Sequence, residues 1–312
     1  MNDNNFLMIK YVVKRIVTMF ATLFVVTLLT FFLMHSVPGG PFTYERRLPE
    51  AIEMALMKKY NLDAPLYKQF FDYVKGLLVF DLGPSFKHEG RTVNEFITEG
   101  LPLSAKLGLL AILFMLFLAI PLWSISAIKN GKWPDLLVMF FATLGISIPS
   151  FVIATALMYV FAFRLGWFPV FGVSSVKGYV LPVIALSGYS LAFITRLMRS
   201  SLLEVMEQDY IRTARAKGVS ETGIILKHAL RNALIPVITI LGPTMASLLT
   251  GSFVIEKIFA LPGMGVHFVT SITNRDYTAI MGITVFYAAI LVTMIFIVDI
   301  FYVMIDPRIK LE

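Results

Sequence analysis

The chain contains no cysteine, and charged residues fill only 15% of its 312 positions. The first absence excludes a disulfide framework, a thiolate metal site and a cysteine nucleophile together. The second excludes an ordinary water-facing globule, in which about 25% of residues are charged and about 45–50% apolar. Here 57% are hydrophobic and the mean hydropathy is +0.78, so too little polar surface exists to cover a soluble domain. Histidine is scarce as well. His35, His88, His228 and His267 stand apart in the sequence, none with a carboxylate or a second histidine at metal-ligand spacing. No G-x-x-x-x-G-K-[ST] run occurs, so the sequence offers no phosphate cradle of its own.

What is abundant is long apolar runs, filled with large, soft side chains that include 27 phenylalanines and 16 methionines. Six such runs cover residues 16–37, 104–128, 136–163, 179–195, 233–255 and 279–305. Each is near the ~17 to 25 residues that a tilted membrane-crossing helix needs. They read as six transmembrane helices of an all-α integral membrane protein. The first comes after Lys10, Lys14 and Arg15, which is also how a secretory signal begins. It is roughly 22 residues long with no small-residue cleavage site behind it, and so reads as an uncleaved span. The run 179–195 is short and carries Pro182 and Gly188; it is expected to continue as helix past Arg196 into water. Pro121, Gly145, Pro149, Pro236, Gly242 and Pro243 would break soluble helices, but a bundle can re-satisfy the freed backbone groups and exploit small residues for close packing.

The net charge of +7 is explained by position. With the N-terminus inside, about half of the 27 lysines and arginines fall on inner segments: Lys10, Lys14 and Arg15, then Lys129 and Lys132, then seven from Arg196 to Arg231, then Arg308 and Lys310. The eight basic residues of the loop 38–100 are balanced by nine acids, and long segments translocate regardless of charge. The topology is therefore N-in/C-in, and the basic surface meets the lipid bilayer and inner partners, with no nucleic acid implied. The chain then divides into 1–37 as N-terminal tail and first span, 38–103 as an extracytoplasmic helical loop, 104–305 as a five-span core with a cytoplasmic loop at 204–232, and 306–312 as a cytoplasmic tail. Within the outer loop, Pro49 opens a helix with Glu50 and Glu53 in its first turn and Lys58 and Lys59 in its last. A second helix starts at Pro65 and places Leu66, Phe70, Val74 and Leu77 on one face.

Charge within or near the spans is sparse. Asp299 lies inside the last run, where it could serve a proton or ion relay or simply bond a neighbouring helix; a lone acid is a poor relay. Glu256, Lys257 and Arg164 fall at span ends and read as interface anchors. Leu261 to Gly265 reads as an outer turn. Residues 204–232 read as helix, break, helix. Leu203, Met206, Tyr210 and Ala214 form a stripe, Gly218 supplies the stop, and Ser220 with Glu221 caps the second helix. The basic residues of this loop could dock a protein or hold the loop to anionic lipid.

Within it, Arg212-Thr-Ala-Arg-Ala-Lys-Gly218 resembles the EAA loop of bacterial ABC-importer permeases, in the form used by the dipeptide/oligopeptide branch. Further stretches are similar to that branch: His228 to Pro236, Tyr11 to Phe42, Ile148 to Phe151, Gly166 to Pro169, Glu256 to Gly265, Asn274 to Tyr277 and Asp306 to Arg308. Phe42 to Arg46 and Asp81 to Lys87 look most like the B-type permease of oligopeptide importers. Arg212 stands where the general pattern has Glu, and Arg231 where it has proline, although Pro236 is kept.

The resemblance implies an ABC type I importer permease fold in the bacterial cell membrane, crossing it several times, with a cytoplasmic coupling helix between spans 4 and 5. It implies a transport subunit that is not an enzyme and holds no cofactor, ATP and Mg being bound by two cytoplasmic ABC ATPases. A second homologous permease subunit and an extracytoplasmic peptide-binding protein complete the machine. Arg212, Thr213, Ala214, Arg215, Ala216, Lys217 and Gly218 would couple to an ATPase, with Ala214 and Ala216 allowing close approach and Arg215 and Lys217 meeting an acidic groove. The cargo would be oligopeptides, or in the same machine dipeptides, glutathione or nickel. An ion-coupled secondary transporter is the rival, and it calls for paired intramembrane charges or inverted repeats. A peptide path should be wide and wet. Thr143, Ser147, Ser150, Ser187 and Ser190 are candidates to line it, or to make ordinary interhelical hydrogen bonds.

Overall fold

The computed structural model of the chain describes residues 3–38, 40–42, 50–249 and 253–305. Among these the regular structure is helical, with one isolated antiparallel bridge between Pro84 and Thr92. In chain order the helices are α1 (Asp3–Ser36), α2 (Glu50–Lys59), α3 (Leu66–Leu78), α4 (Val93–Ile128), α5 (Trp133–Ser147), α6 (Ser150–Leu157), α7 (Lys177–Met206), α8 (Asp209–Ala216), α9 (Glu221–Ile224), α10 (Leu230–Ala233), α11 (Ile235–Leu249), α12 (Phe253–Ile258), α13 (Met264–Asn274) and α14 (Tyr277–Ile305). Two π-helical stretches, Met158–Arg164 and Ile225–Ala229, extend α6 and α9.

Five stretches are long and apolar enough to cross a membrane: Lys10–Ser36, Val93–Ile128, Lys177–Met206, Ile235–Ile258 and Tyr277–Ile300. The expected span 136–163 is not one straight helix. Instead α5 and α6 with its π-helical extension meet at 107°. Ile148 is extended at φ −91° and ψ 125°, the conformation that a following proline ring enforces, and Pro149 then caps α6. Counting the bent pair as one gives six spans. Residues 250–252 of the fifth run lie outside the described residues, as do Gly39, Pro49, the stretch 43–46 and the tail 306–312 with Arg308 and Lys310.

By packing, the described residues divide into two units, one drawn from residues 3–103 and 262–293 and the other from residues 104–261 and 294–305. In the first, α3 begins after Pro65 as expected, and Phe70 is buried against Phe31 (ring centroids 5.3 Å apart) and Met281, with Val74 packed beside them. A second cluster joins Val93, Phe96 and Ile97 to Met264, Ala279 and Ile283. Asp276, 1% exposed, holds the loop ahead of α4 to the start of α14. Its carboxylate accepts from Ser85 Oγ, from the Phe86 N–H (3.1 Å) and from the Ala279 N–H (3.3 Å), the last as the N-cap bond of α14.

In the second unit α7 is central, and polar Ser187, Ser190 and Thr195 on it are buried. It lies close to α5, where a Cβ added at Gly145 would fall 2.8 Å from that of Ala192. Similarly, a Cβ at Gly108 would meet the Leu248 carbonyl oxygen at 2.3 Å. Glu256 departs from the expected interface anchor: it is 1% exposed and accepts a hydrogen bond from Ser104 Oγ at 2.8 Å. A carboxylate with a built partner is tolerable inside, whereas Lys257 and Arg164 remain exposed.

Asp276→Ala is expected to lower stability by about 2 kcal/mol or more, since it removes a cap and strands buried donors. Asp276→Asn, which keeps one acceptor oxygen, should lose less. Thermal unfolding in detergent measures both, and equal losses would contradict the capping role.

Candidate functional site

The helix leading into the cytoplasmic loop continues, as anticipated, well past Arg196, and α7 ends at Met206. Gln208 then turns extended (φ −70°, ψ 149°) and α8 restarts at Asp209. The stripe through Leu203, Met206, Tyr210 and Ala214 therefore crosses a break, and α8 buries its own pair, Ile211 at 0% and Ala214 at 7% exposure. Arg212, Thr213, Arg215, Ala216 and Lys217 face out.

The end of α8 is a fully bonded reversal. Lys217 is the C-cap, and Gly218 comes next in the left-handed region at φ +78°. The Gly218 N–H donates to Arg215 O at 3.0 Å and the Val219 N–H to Ala214 O at 3.3 Å, the paired bonds of a Schellman motif. Across this turn Arg215 donates twice to Glu221, Nε to Oε1 at 2.6 Å and Nη2 to Oε2 at 3.1 Å. Those bonds hold the Glu221 carboxyl below its ordinary pKa and raise that of Arg215. Ser220 Oγ accepts from the Gly223 N–H at 3.3 Å, the cap anticipated for the next helix. Arg215 is thus committed within the loop, and the outward cations are Arg212, 3.5 Å from an exposed Asp209, and Lys217. Ala214 faces inward, leaving Ala216 as the small outward residue.

Two ties fix this loop to its unit. Tyr210 accepts from Asn232 Nδ2 at 2.7 Å, and Ser201 Oγ donates to Ala233 O at 2.9 Å. About two turns before the end of α7, Arg199 donates to both oxygens of Asp135, each at 2.7 Å, and to Asn130 Oδ1 at 2.8 Å. Asp135 also accepts from Ser126 Oγ and from the Gly131 N–H at 2.8 Å. In the sequence Arg199 counts only as loop charge and Asp135 passes unnoticed. The available signal is an acid in the first turn of a helix opened by Trp133 and Pro134, flanked by basic residues.

The candidate path residues separate. Thr143 and Ser147 are exposed and Ser150 is half-buried, whereas Ser187 and Ser190 are buried, Ser187 donating to Val183 O of its own helix at 2.7 Å. Arg196 Nη2 donates to Thr143 Oγ1 at 2.6 Å.

Removing one side of the Arg199–Asp135 pair strands a charge in a pair whose carboxylate is 2% exposed. Asp135→Asn is expected to cost about 3 kcal/mol or more, while Asp135→Leu combined with Arg199→Met should cost less than either single change. Unfolding midpoints in detergent decide, and a double variant as unstable as the sum of the singles would refute the coupling.

Residues 119–311 match the family described as binding-protein-dependent transport system inner membrane component, and residues 8–108 match the N-terminal region of such membrane components. The chain is 51% identical to the dipeptide transport system permease protein DppB of Bacillus subtilis over 98% of its length and 99% of the relative's. It is 44% identical to the oligopeptide transport system permease protein OppB of Haemophilus influenzae over 97% of its length and 100% of the relative's. Among solved structures, it is similar to the MetNI methionine ABC transporter in an inward-facing conformation, with a TM-score of 0.57 at 16% identity, covering 68% of this chain and 97% of that one. An amino acid ABC transporter with histidines is matched at a TM-score of 0.54 and 17% identity, covering 67% and 94%. With its five to six apolar helices and these matches, the chain belongs to the binding-protein-dependent transport system inner membrane component family and is a multi-pass protein of the cytoplasmic membrane.

Proposed function

We propose that the chain is a permease subunit of an ATP-driven importer that moves short peptides inward, oriented N-in/C-in, and that residues 212–218 are its coupling element. Separate ATPase subunits would supply ATP and Mg chemistry, a second permease would complete the membrane passage, and an extracytoplasmic binding protein would deliver cargo. No ATPase role is assigned to this chain. The peptide class rests on relatives named for dipeptide and for oligopeptide transport, and identity to the dipeptide protein is the higher of the two, 51% against 44%. The cargo is therefore taken as short peptides of both classes.

The observation that carries the reading is the rigid, outward-facing reversal at the foot of α7. A helix of eight residues, Asp209–Ala216, is braced by a Schellman turn and a two-point ion pair, and it presents Arg212, Ala216 and Lys217 outward. A lever needs stiffness at its end, and two helices meeting at a fixed break provide it. Arg212 and Lys217 are the cations available to an acidic groove; Arg215 serves the brace.

Gly218 tests this directly. A Cβ there meets nothing within 4 Å, so bulk alone would be harmless, but at φ +78° a β-branched residue is strained. Gly218→Val should leave the protein inserted, retain ATP hydrolysis by the reconstituted assembly and cut peptide uptake at least tenfold. Gly218→Asn, which tolerates the left-handed region, should keep most uptake. Normal uptake by Gly218→Val, or wild-type uptake that persists without ATP, would sink the proposal.

A further inference from the structure

Arg196 and Arg199 stand one helical turn apart on α7 yet have unlike partners. Arg199 meets a buried carboxylate, which explains it as structure. Arg196 meets a hydroxyl, Thr143 Oγ1, at 2.6 Å, while that hydroxyl donates in turn to Met139 O at 2.7 Å. Among the described residues no ion pair includes Arg196, and its Nε is buried without a hydrogen-bond partner. Thr143 lies eight residues beyond Asp135 on α5, on the order of 12 Å along the helix. The guanidinium it holds therefore lies alongside the apolar part of α5, well beyond its first turn, and not in the water where the sequence places Arg196. A cation at such depth is costly against lipid, and residues of this kind face a water-filled cavity or a bundle interior.

The surroundings fit a wet face. Tyr189, Phe193, Arg196 and Ser200 recur at helical spacing along α7, with Tyr189 51% exposed. The Tyr189 and Phe193 rings stack, with centroids 6.1 Å apart and planes 7° apart. Thr143 and Ser147, one turn apart on α5, are exposed as well, and Thr143 is the hydroxyl that Arg196 meets.

We propose that this face lines the translocation path and that Arg196 is a substrate-contacting residue that receives the peptide's C-terminal carboxylate in transit. The proposal rests on the peptide-import reading. Peptides of differing sequence share only a backbone and two charged ends, so a sequence-tolerant path can recognise only these. A guanidinium offers paired N–H donors matched to a carboxylate. Thr143 holds one amino group and so orients the fork, leaving other donors for the passing carboxylate. The aromatic pair gives upstream side chains a surface that discriminates little among them. A single contact with a half-buried guanidinium is weak enough to release its guest, as conduction requires.

The test uses the complete importer in proteoliposomes and one tetrapeptide, as free acid and as C-terminal amide, at saturating binding protein. Arg196→Gln should lower kcat for the free acid at least tenfold while changing the amide less than twofold, and Arg196→Lys, which keeps the charge but not the fork, should restore only part of the loss. Equal loss for both forms would overturn the proposal, because it is the result expected if Arg196 pairs with a carboxylate of the second permease. No change in either form would overturn it too. A second arm places a cysteine in this otherwise cysteine-free chain, Ser147→Cys, and offers peptides with a thiol-reactive side chain on the last or the first residue. ATP-dependent labelling by the former, reduced at least fivefold by Arg196→Gln, supports the assignment even where the amide is a poor cargo; labelling unaffected by Arg196→Gln overturns it. A wild-type assembly that imports neither peptide with ATP would remove the import reading itself.

Discussion

A hydrocarbon layer offers no partner to a backbone N–H or C=O, and each element of this chain answers that constraint. Regular helices satisfy it by construction. The irregular places satisfy it by substitution: at the bend before α6 the Ile148 N–H still reaches Leu144 O at 2.9 Å, and the Val152 and Ile153 N–H groups share Pro149 O at 3.0 and 3.2 Å. Where the π-helical extension ends, Leu165 donates to Val160 O and Trp167 to Phe161 O, each at 3.0 Å. The chain bends through 107° between α5 and α6 with backbone bonds kept on either side of the break.

With lipid as apolar as the helices themselves, close approach must come from small residues and from polar ties. Gly145 against Ala192 and Gly108 against the Leu248 carbonyl provide the first. The second are few and specific: Asp135 with Arg199, Glu256 with Ser104, Asp276 with Ser85 and the start of α14. Each buried carboxylate is met by donors from a distant part of the sequence. These bonds select one packing among many that apolar contact alone would allow.

Much of this was legible in advance. Long apolar runs predict membrane helices because length and hydropathy are local properties, and the Gly218 stop with its Ser220 cap arises from residues within a few positions of each other. The fate of Glu256 was not legible, because its partner Ser104 is 152 residues away. The same holds for Asp135, whose role depends on Arg199 64 residues later. The bend at Pro149 was visible as a proline but not as an angle, since a proline within a span can also kink gently. Of the candidate path residues, composition could not separate Thr143, which holds an arginine, from Ser187, which bonds its own helix. A hydroxyl looks the same in a sequence whichever way its helix is turned.

The bonds that close the reversal at Gly218 all lie within residues 209–223, so the element is ordered before anything touches it. Docking onto it forfeits little conformational entropy, and little of the contact energy is diverted into folding a loose segment. A force applied at its tip then reaches α7 as displacement instead of being dissipated in local unfolding. If residues 212–218 couple to a partner as proposed, no nucleation step would stand between contact and motion.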